Sequence, residues 1–108
     1  MIKFTDEMKQ RINNAFTDKK PCIWATASPD GVPSISFRGS TFAWDDEHLA
    51  IWERSRQSGA EYMEANPNVV MLYADLPARV GWRFYGRATV FKTGEMRQKI
   101  MDRTIKDE

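Results

Sequence analysis

Apolar and polar positions follow a helical period at the start of the chain and a strand period afterwards. Between residues 5 and 18 apolar side chains recur every fourth position, which predicts one buried helix face. Thr5 is suited to cap this helix, and Pro21 ends the pattern. The apolar face comprises Phe4, Met8, Ile12 and Phe16.

Short extended stretches separated by turns fill the middle of the chain. A strand is predicted over 21–28, and residues 29–31 (Pro-Asp-Gly) follow as a tight turn, because proline fixes φ and glycine accepts a positive φ. Residues 33–44 are extended, with a break near Gly39. A polar turn at 45–48 then leads into a strand over 49–53.

The second half of the chain predicts a short helix, two strands and a last helix. Ser58 and Glu61 have the spacing of a capping box, and Asn66-Pro67 ends the helix that they begin. The strands cover 69–74 and 80–91, and Thr93-Gly94-Glu95 opens the last helix.

The order of these elements predicts a mainly β fold with flanking helices. Short links between strands indicate an antiparallel sheet. Six such strands tend to close into a barrel, since closure removes exposed sheet edges. The length of 108 residues fits a single domain, 1–108.

Composition and charge narrow the classes of function. A net charge of +1 argues against a nucleic-acid partner. The single cysteine, Cys22, cannot form an internal disulfide, and one cysteine with one histidine gives no metal-binding set. We find no signal peptide and no apolar run near the ~20 residues that span a bilayer. We therefore expect a cytoplasmic protein with no membrane partner and no metal.

The strongest anionic-ligand candidate lies where a strand runs into the short helix. Trp52 lies near the end of the strand, and Arg54, Arg56 and Ser58 follow before the helix. Forked arginine donors beside the free N–H groups of a helix start would bind a phosphate dianion. The alternative is a capped helix with two solvated arginines.

Two further segments are candidates for ligand contacts. Arg38, Gly39 and Ser40 combine a cation, a hydroxyl and a residue that lets a ligand approach the backbone; if Phe37 faces the core, they face outward. Trp82 and Arg83 lie on opposite faces of the long strand, so one of them can face a partner subunit. The alternatives are solvated arginines and a core tryptophan.

Four segments together resemble the FMN-binding split-barrel proteins related to pyridoxamine 5'-phosphate oxidase. They are Ala25-Thr26-Ala27-Ser28-Pro29-Asp30-Gly31-Val32-Pro33, Leu49-Ala50-Ile51-Trp52-Glu53-Arg54-Ser55-Arg56, Asn66-Pro67-Asn68-Val69 and Tyr85-Gly86-Arg87-Ala88-Thr89-Val90. Their order and spacing carry the resemblance over roughly residues 20–92.

The resemblance implies a six-stranded antiparallel Greek-key split barrel that forms a homodimer with FMN at the interface. The implied activity is an FMN-dependent oxidoreductase with an unknown substrate and unknown catalytic residues. The alternative is a non-catalytic protein that binds or carries a flavin, a deazaflavin or heme. The implied cofactor-binding residues are Arg38, Gly39, Ser40, Trp52, Arg54, Arg56, Ser58, Trp82 and Arg83.

Two features depart from the family pattern. Gln57-Ser58-Gly59 stands where the family often has a lysine at the helix start, which shifts the expected phosphate contacts to Arg54 and Arg56. The family also has a closing strand after the last helix, and none is visible after Ile105. Either the chain is truncated at its C-terminus or the barrel closes differently.

Overall fold

The computed structural model describes residues 2–52 and 59–104, which form six strands and three helices. In chain order these are α1 Asp6–Asn13, β1 Ile23–Ala27, β2 Pro33–Phe37, β3 Phe42–Ala43, β4 Leu49–Ala50, α2 Gly59–Ala65, β5 Asn68–Asp75, β6 Val80–Arg87 and α3 Glu95–Arg103. The prediction of a mainly β fold with flanking helices is confirmed.

The strands form two antiparallel sheets. The larger sheet has the order β2-β1-β5-β6, and β3 pairs with β4 in a separate hairpin. β1 is an inner strand that pairs Ala25 with Ile35 of β2 and with Val70 of β5. The β1–β2 turn has the expected geometry, with Gly31 at φ 87° and its N–H bonded to the Ser28 carbonyl at 2.9 Å.

The inner face of the larger sheet forms the core. Trp24, Met71 and Phe84 lie side by side on β1, β5 and β6 and are buried. Phe4 packs edge-on against Phe84, with ring centroids 5.1 Å apart. Ile12 of α1 is fully buried in the same cluster, so α1 covers this face.

Helix α1 is shorter than the predicted range of 5–18. Thr5 caps it as expected, accepting a hydrogen bond from the Met8 N–H at 3.1 Å. The helix ends at Asn13, whose side-chain oxygen accepts from the Ala43 N–H at 2.8 Å. Asparagine side chains compete with the helical backbone pattern, and the turns that follow leave Phe16 exposed rather than on the buried face.

The later elements follow the prediction with one shortened strand. Helix α2 ends at Ala65, before Asn66-Pro67, and the residues around Leu76-Pro77 link β5 to β6. β6 ends at Arg87 instead of residue 91, since its partner β5 begins at Asn68, the residue opposite Arg87. The Ala88 N–H bonds to the Pro67 carbonyl at 2.8 Å, just beyond the ladder.

Because Cys22 is buried in the core, its thiol should make the free energy of unfolding depend on pH. Burial raises the pKa of this thiol from its ordinary 9.0 to about 12. The unfolded state therefore loses the thiol proton first as pH rises, and stability falls between these two values. From about pH 7 to about pH 10 we expect wild type to lose about 1 kcal/mol more unfolding free energy than Cys22→Ala.

Urea unfolding of both proteins at both pH values measures this difference. All other side chains are common to both proteins, so their contributions cancel in the comparison. Equal losses in the two proteins would show that the thiol is accessible in the folded state.

Candidate functional site

The outer face of the larger sheet carries two rows of side chains that run across all four strands and are apolar except for Arg83. One row is Phe37, Ile23, Leu72 and Arg83, and the next is Ile35, Ala25, Val70 and Tyr85. Ile35, Phe37 and Tyr85 are 71%, 66% and 73% exposed. A sheet face meant for water normally carries polar side chains, so this face is suited to a ligand or another protein surface. We call it the open face.

The structure decides which face of β2 Phe37 takes. An outward Arg38 was conditional on a core position for Phe37, and Phe37 instead lies on the open face. Ser36 instead shares the inner face with Trp24, its cross-strand partner. Period-2 alternation gives the two faces of β2 but not which face is covered, because both faces carry apolar neighbours.

The turn after β2 positions Arg38 through a network of hydrogen bonds that reaches the core. The Arg38 N–H bonds to the Cys22 carbonyl at 2.8 Å, and its guanidinium donates to the Ser36 hydroxyl and to the Phe37 carbonyl at 3.1 Å. Thr41 donates its hydroxyl proton to the Arg38 carbonyl at 2.7 Å and accepts from the Trp24 indole N–H at 2.9 Å. Thr41 thereby ties the Arg38 turn to the core.

Ser40 joins two of the predicted site segments. Its hydroxyl donates to the Trp52 carbonyl and accepts from the Trp52 N–H, both at 2.9 Å. Ser40 is buried, and Gly39 beside it is half-buried in the same turn. The structure thus brings Arg38, Gly39 and Ser40 next to Trp52, and Ser40 contacts the main chain of Trp52.

An arginine that sequence reasoning missed also contacts Trp52. The Arg97 guanidinium lies 4.6 Å from the centroid of the Trp52 ring. Arg97 belongs to α3, which follows Trp52 by more than 40 residues. No local sequence pattern joins the two residues, so only the tertiary fold could reveal the pair.

Trp82 and Arg83 lie on opposite faces, as strand alternation predicts. Trp82 packs against the core, stacked on Tyr73 with ring centroids 5.5 Å apart. Arg83 lies exposed on the open face, with its guanidinium 5.9 Å from the Tyr85 ring centroid. Of the pair, Arg83 is the residue placed to meet a ligand or a partner subunit at the open face.

Arg54, Arg56 and Ser58 lie outside the described residues. The strand end that leads to them, through Trp52, is described and is held as above. Within 2–52 and 59–104 no group of three or more His, Cys, Asp or Glu side chains is placed to hold a metal ion. The helices in those ranges are too short or too polar to cross a membrane.

Comparison with known proteins identifies the family. The profile described as pyridoxamine 5'-phosphate oxidase matches residues 4–107. No curated protein matches the chain.

Solved structures with the same fold come from two bacteria. The H111A variant of HupZ from Group A Streptococcus has a TM-score of 0.80 at 26% identity, covering 94% of this chain and 85% of its own. A Lactobacillus delbrueckii protein provisionally named a pyridoxamine 5'-phosphate oxidase has a TM-score of 0.78 at 24% identity, covering 94% and 80%. These similarities confirm the split-barrel type of fold.

Thr41 offers a direct test of the network behind Arg38. Thr41→Val keeps the side-chain shape but leaves the buried Trp24 N–H without its acceptor. We expect unfolding free energy to fall by about 1–3 kcal/mol, the usual cost of an unsatisfied buried donor. Urea unfolding measures this cost.

Thr41→Ser is the matched control, because it keeps the hydroxyl and loses only a methyl group. Thr41→Ser should lower the free energy of unfolding clearly less than Thr41→Val does. Equal losses in the two variants would mean that packing, and not the hydrogen bonds, holds the turn.

Proposed function

This chain belongs to the pyridoxamine 5'-phosphate oxidase family, and we propose that it binds FMN at the open face of a homodimer and acts as an oxidoreductase. The observation that carries the proposal is the open face itself, an exposed apolar surface that includes Arg83 and borders the Arg38 turn. The family resemblance supplies the identity of the cofactor.

The chemistry of the side chains fits a ligand with a flat ring and a phosphate. Ala25 and Val70 are small and lie beside Tyr85 in one row, which gives a flat apolar surface. Arg83 on this face provides a forked donor of the kind that binds phosphate. Arg38 lies in the turn after β2, where its guanidinium donates to Ser36 and to the Phe37 carbonyl. Arg54, Arg56 and Ser58 remain the principal phosphate contacts in this proposal.

The cofactor and the protein side chains have separate roles in this proposal. FMN, when bound, supplies the redox chemistry through its ring system. The arginines hold and orient the phosphate, and the apolar rows exclude water from the ring. Hydride transfer through a flavin does not require a side chain, so we assign no catalytic residue.

A second copy of this chain is the proposed cover for the open face. Exposed Ile35 and Phe37 on β2 and exposed Tyr85 on β6 give this sheet face large apolar side chains at both edges, which is unusual for a water-facing surface. In a two-fold dimer the same patch serves both subunits. Arg83 would then lie at the subunit interface.

The absorbance of the purified protein tests the cofactor. We expect bands between about 350 and 500 nm, where oxidised flavin absorbs, either as purified or after adding FMN. A colourless protein that fails to bind added FMN would contradict the proposal. A spectrum typical of deazaflavin or heme would show that the chain binds that cofactor instead of FMN. Bound FMN that a nicotinamide cofactor does not reduce would support a flavin carrier instead of an oxidoreductase.

Arginine variants test the mode of binding. Replacing Arg54 and Arg56 together by Gln removes two charge-assisted contacts, so FMN affinity should fall at least roughly tenfold. Riboflavin lacks the phosphate, and its affinity should change little. Arg79→Gln, in the exposed β5–β6 turn, is the control and should leave both affinities unchanged. Equal losses for FMN and riboflavin would contradict a phosphate role.

Ile35→Glu tests the proposed dimer. A carboxylate among the apolar side chains of the open face should prevent burial of that face, because an unpaired buried charge is costly. Light scattering should then show a dimer for wild type and a monomer for the variant.

Leu76→Glu is the matched control, since Leu76 is exposed in the β5–β6 loop and not on the open face. It should remain dimeric. A monomeric wild type, or a dimer that survives Ile35→Glu, would overturn the proposed interface.

A further inference from the structure

Arg97 of α3 restrains the ring of Trp52. Its guanidinium lies 4.6 Å from the ring centroid, well inside the ~6 Å range of cation–π attraction. Both residues are half-buried, so water screens the contact less than it would at an exposed site. The indole is therefore held in one orientation by a residue from a distant part of the chain.

The main chain of Trp52 is restrained separately. Ser40 holds both the N–H and the carbonyl of Trp52 with hydrogen bonds of 2.9 Å. Ser40 thus fixes where the residue lies, and Arg97 fixes where its ring points. The backbone contacts alone leave the side-chain rotamer undetermined.

Helix α3 is itself anchored by a second arginine. Arg103 donates to the carbonyls of Ala43 at 3.2 Å and Trp44 at 3.1 Å. Its guanidinium also lies 4.3 Å from the ring centroid of Trp44 and 5.1 Å from that of Phe42. The β3–β4 hairpin therefore fixes the helix that carries Arg97.

We propose that Arg97 is a positioning residue of the flavin site, acting through the ring of Trp52. This inference rests on the proposed function, in which Trp52 is a cofactor-binding residue. Holding the indole before the ligand arrives lowers the ordering cost of binding. Arg97 needs no contact with the flavin for this role.

Flavin fluorescence quenching measures the FMN affinity of the variants. Arg97→Ala should weaken FMN binding about three- to tenfold, in line with one partly buried cation–π contact. Arg97→Lys keeps a cation over the ring and should stay within about twofold of wild type. If Arg97→Ala does not fold, Arg97→Met keeps the side-chain length without the charge and should show the same loss.

Lys99→Ala is the matched control on the same helix. Lys99 is exposed, and its ammonium lies 3.3 Å from Glu95, so this change removes one positive charge without touching Trp52. It should leave FMN affinity at the wild-type value.

A double-mutant cycle tests whether Arg97 acts through Trp52. In a Trp52→Leu background, Arg97→Ala should have no further effect on FMN affinity. In the protein without flavin, Arg97→Ala should change the tryptophan emission, and that change should be absent from the Trp52→Leu background. A helix that is merely destabilised would not give this dependence on one indole.

The outcomes separate this inference from the proposed function. Wild type that binds no FMN overturns both. Wild type that binds FMN while Arg97→Ala matches Lys99→Ala overturns the role of Arg97 alone. A loss that persists in full in the Trp52→Leu background overturns the route through Trp52.

Discussion

The pairing of β1 with β2 on one side and β5 on the other organises the rest of the structure. Side chains of a strand alternate between two faces, and both faces of this sheet are apolar. Helix α1 and Phe4 cover the inner face around Trp24. The outer face keeps Ile35 and Phe37 exposed, and its burial requires something outside the described chain.

The same sheet connects the core to the candidate site in a few steps. Trp24 reaches Thr41 through its indole N–H, Thr41 fixes the Arg38 carbonyl, and Ser40 of the same turn holds Trp52. Burial of these groups strengthens each hydrogen bond and makes its loss costly. The positions of Arg38, Ser40 and Trp52 therefore follow from core packing.

The sequence predicted the helices, strands and turns better than the tertiary contacts between them. Turn residues such as Gly31, and the helix end at Asn66-Pro67, depend on local backbone chemistry, so they were predictable. Alternation separated Trp82 from Arg83 for the same reason. The exposure of Phe37 and the Arg97–Trp52 contact depend on which surfaces meet in three dimensions, and no local pattern encodes that.

In the proposed function, the open face of a dimer binds a flavin. Sedimentation velocity recorded at about 280 nm for protein and at about 450 nm for flavin tests both parts at once. We predict one boundary at the dimer mass that carries both absorbances. Flavin absorbance that sediments separately, at the rate of a free small molecule, or a protein boundary at the monomer mass, would contradict the proposed function.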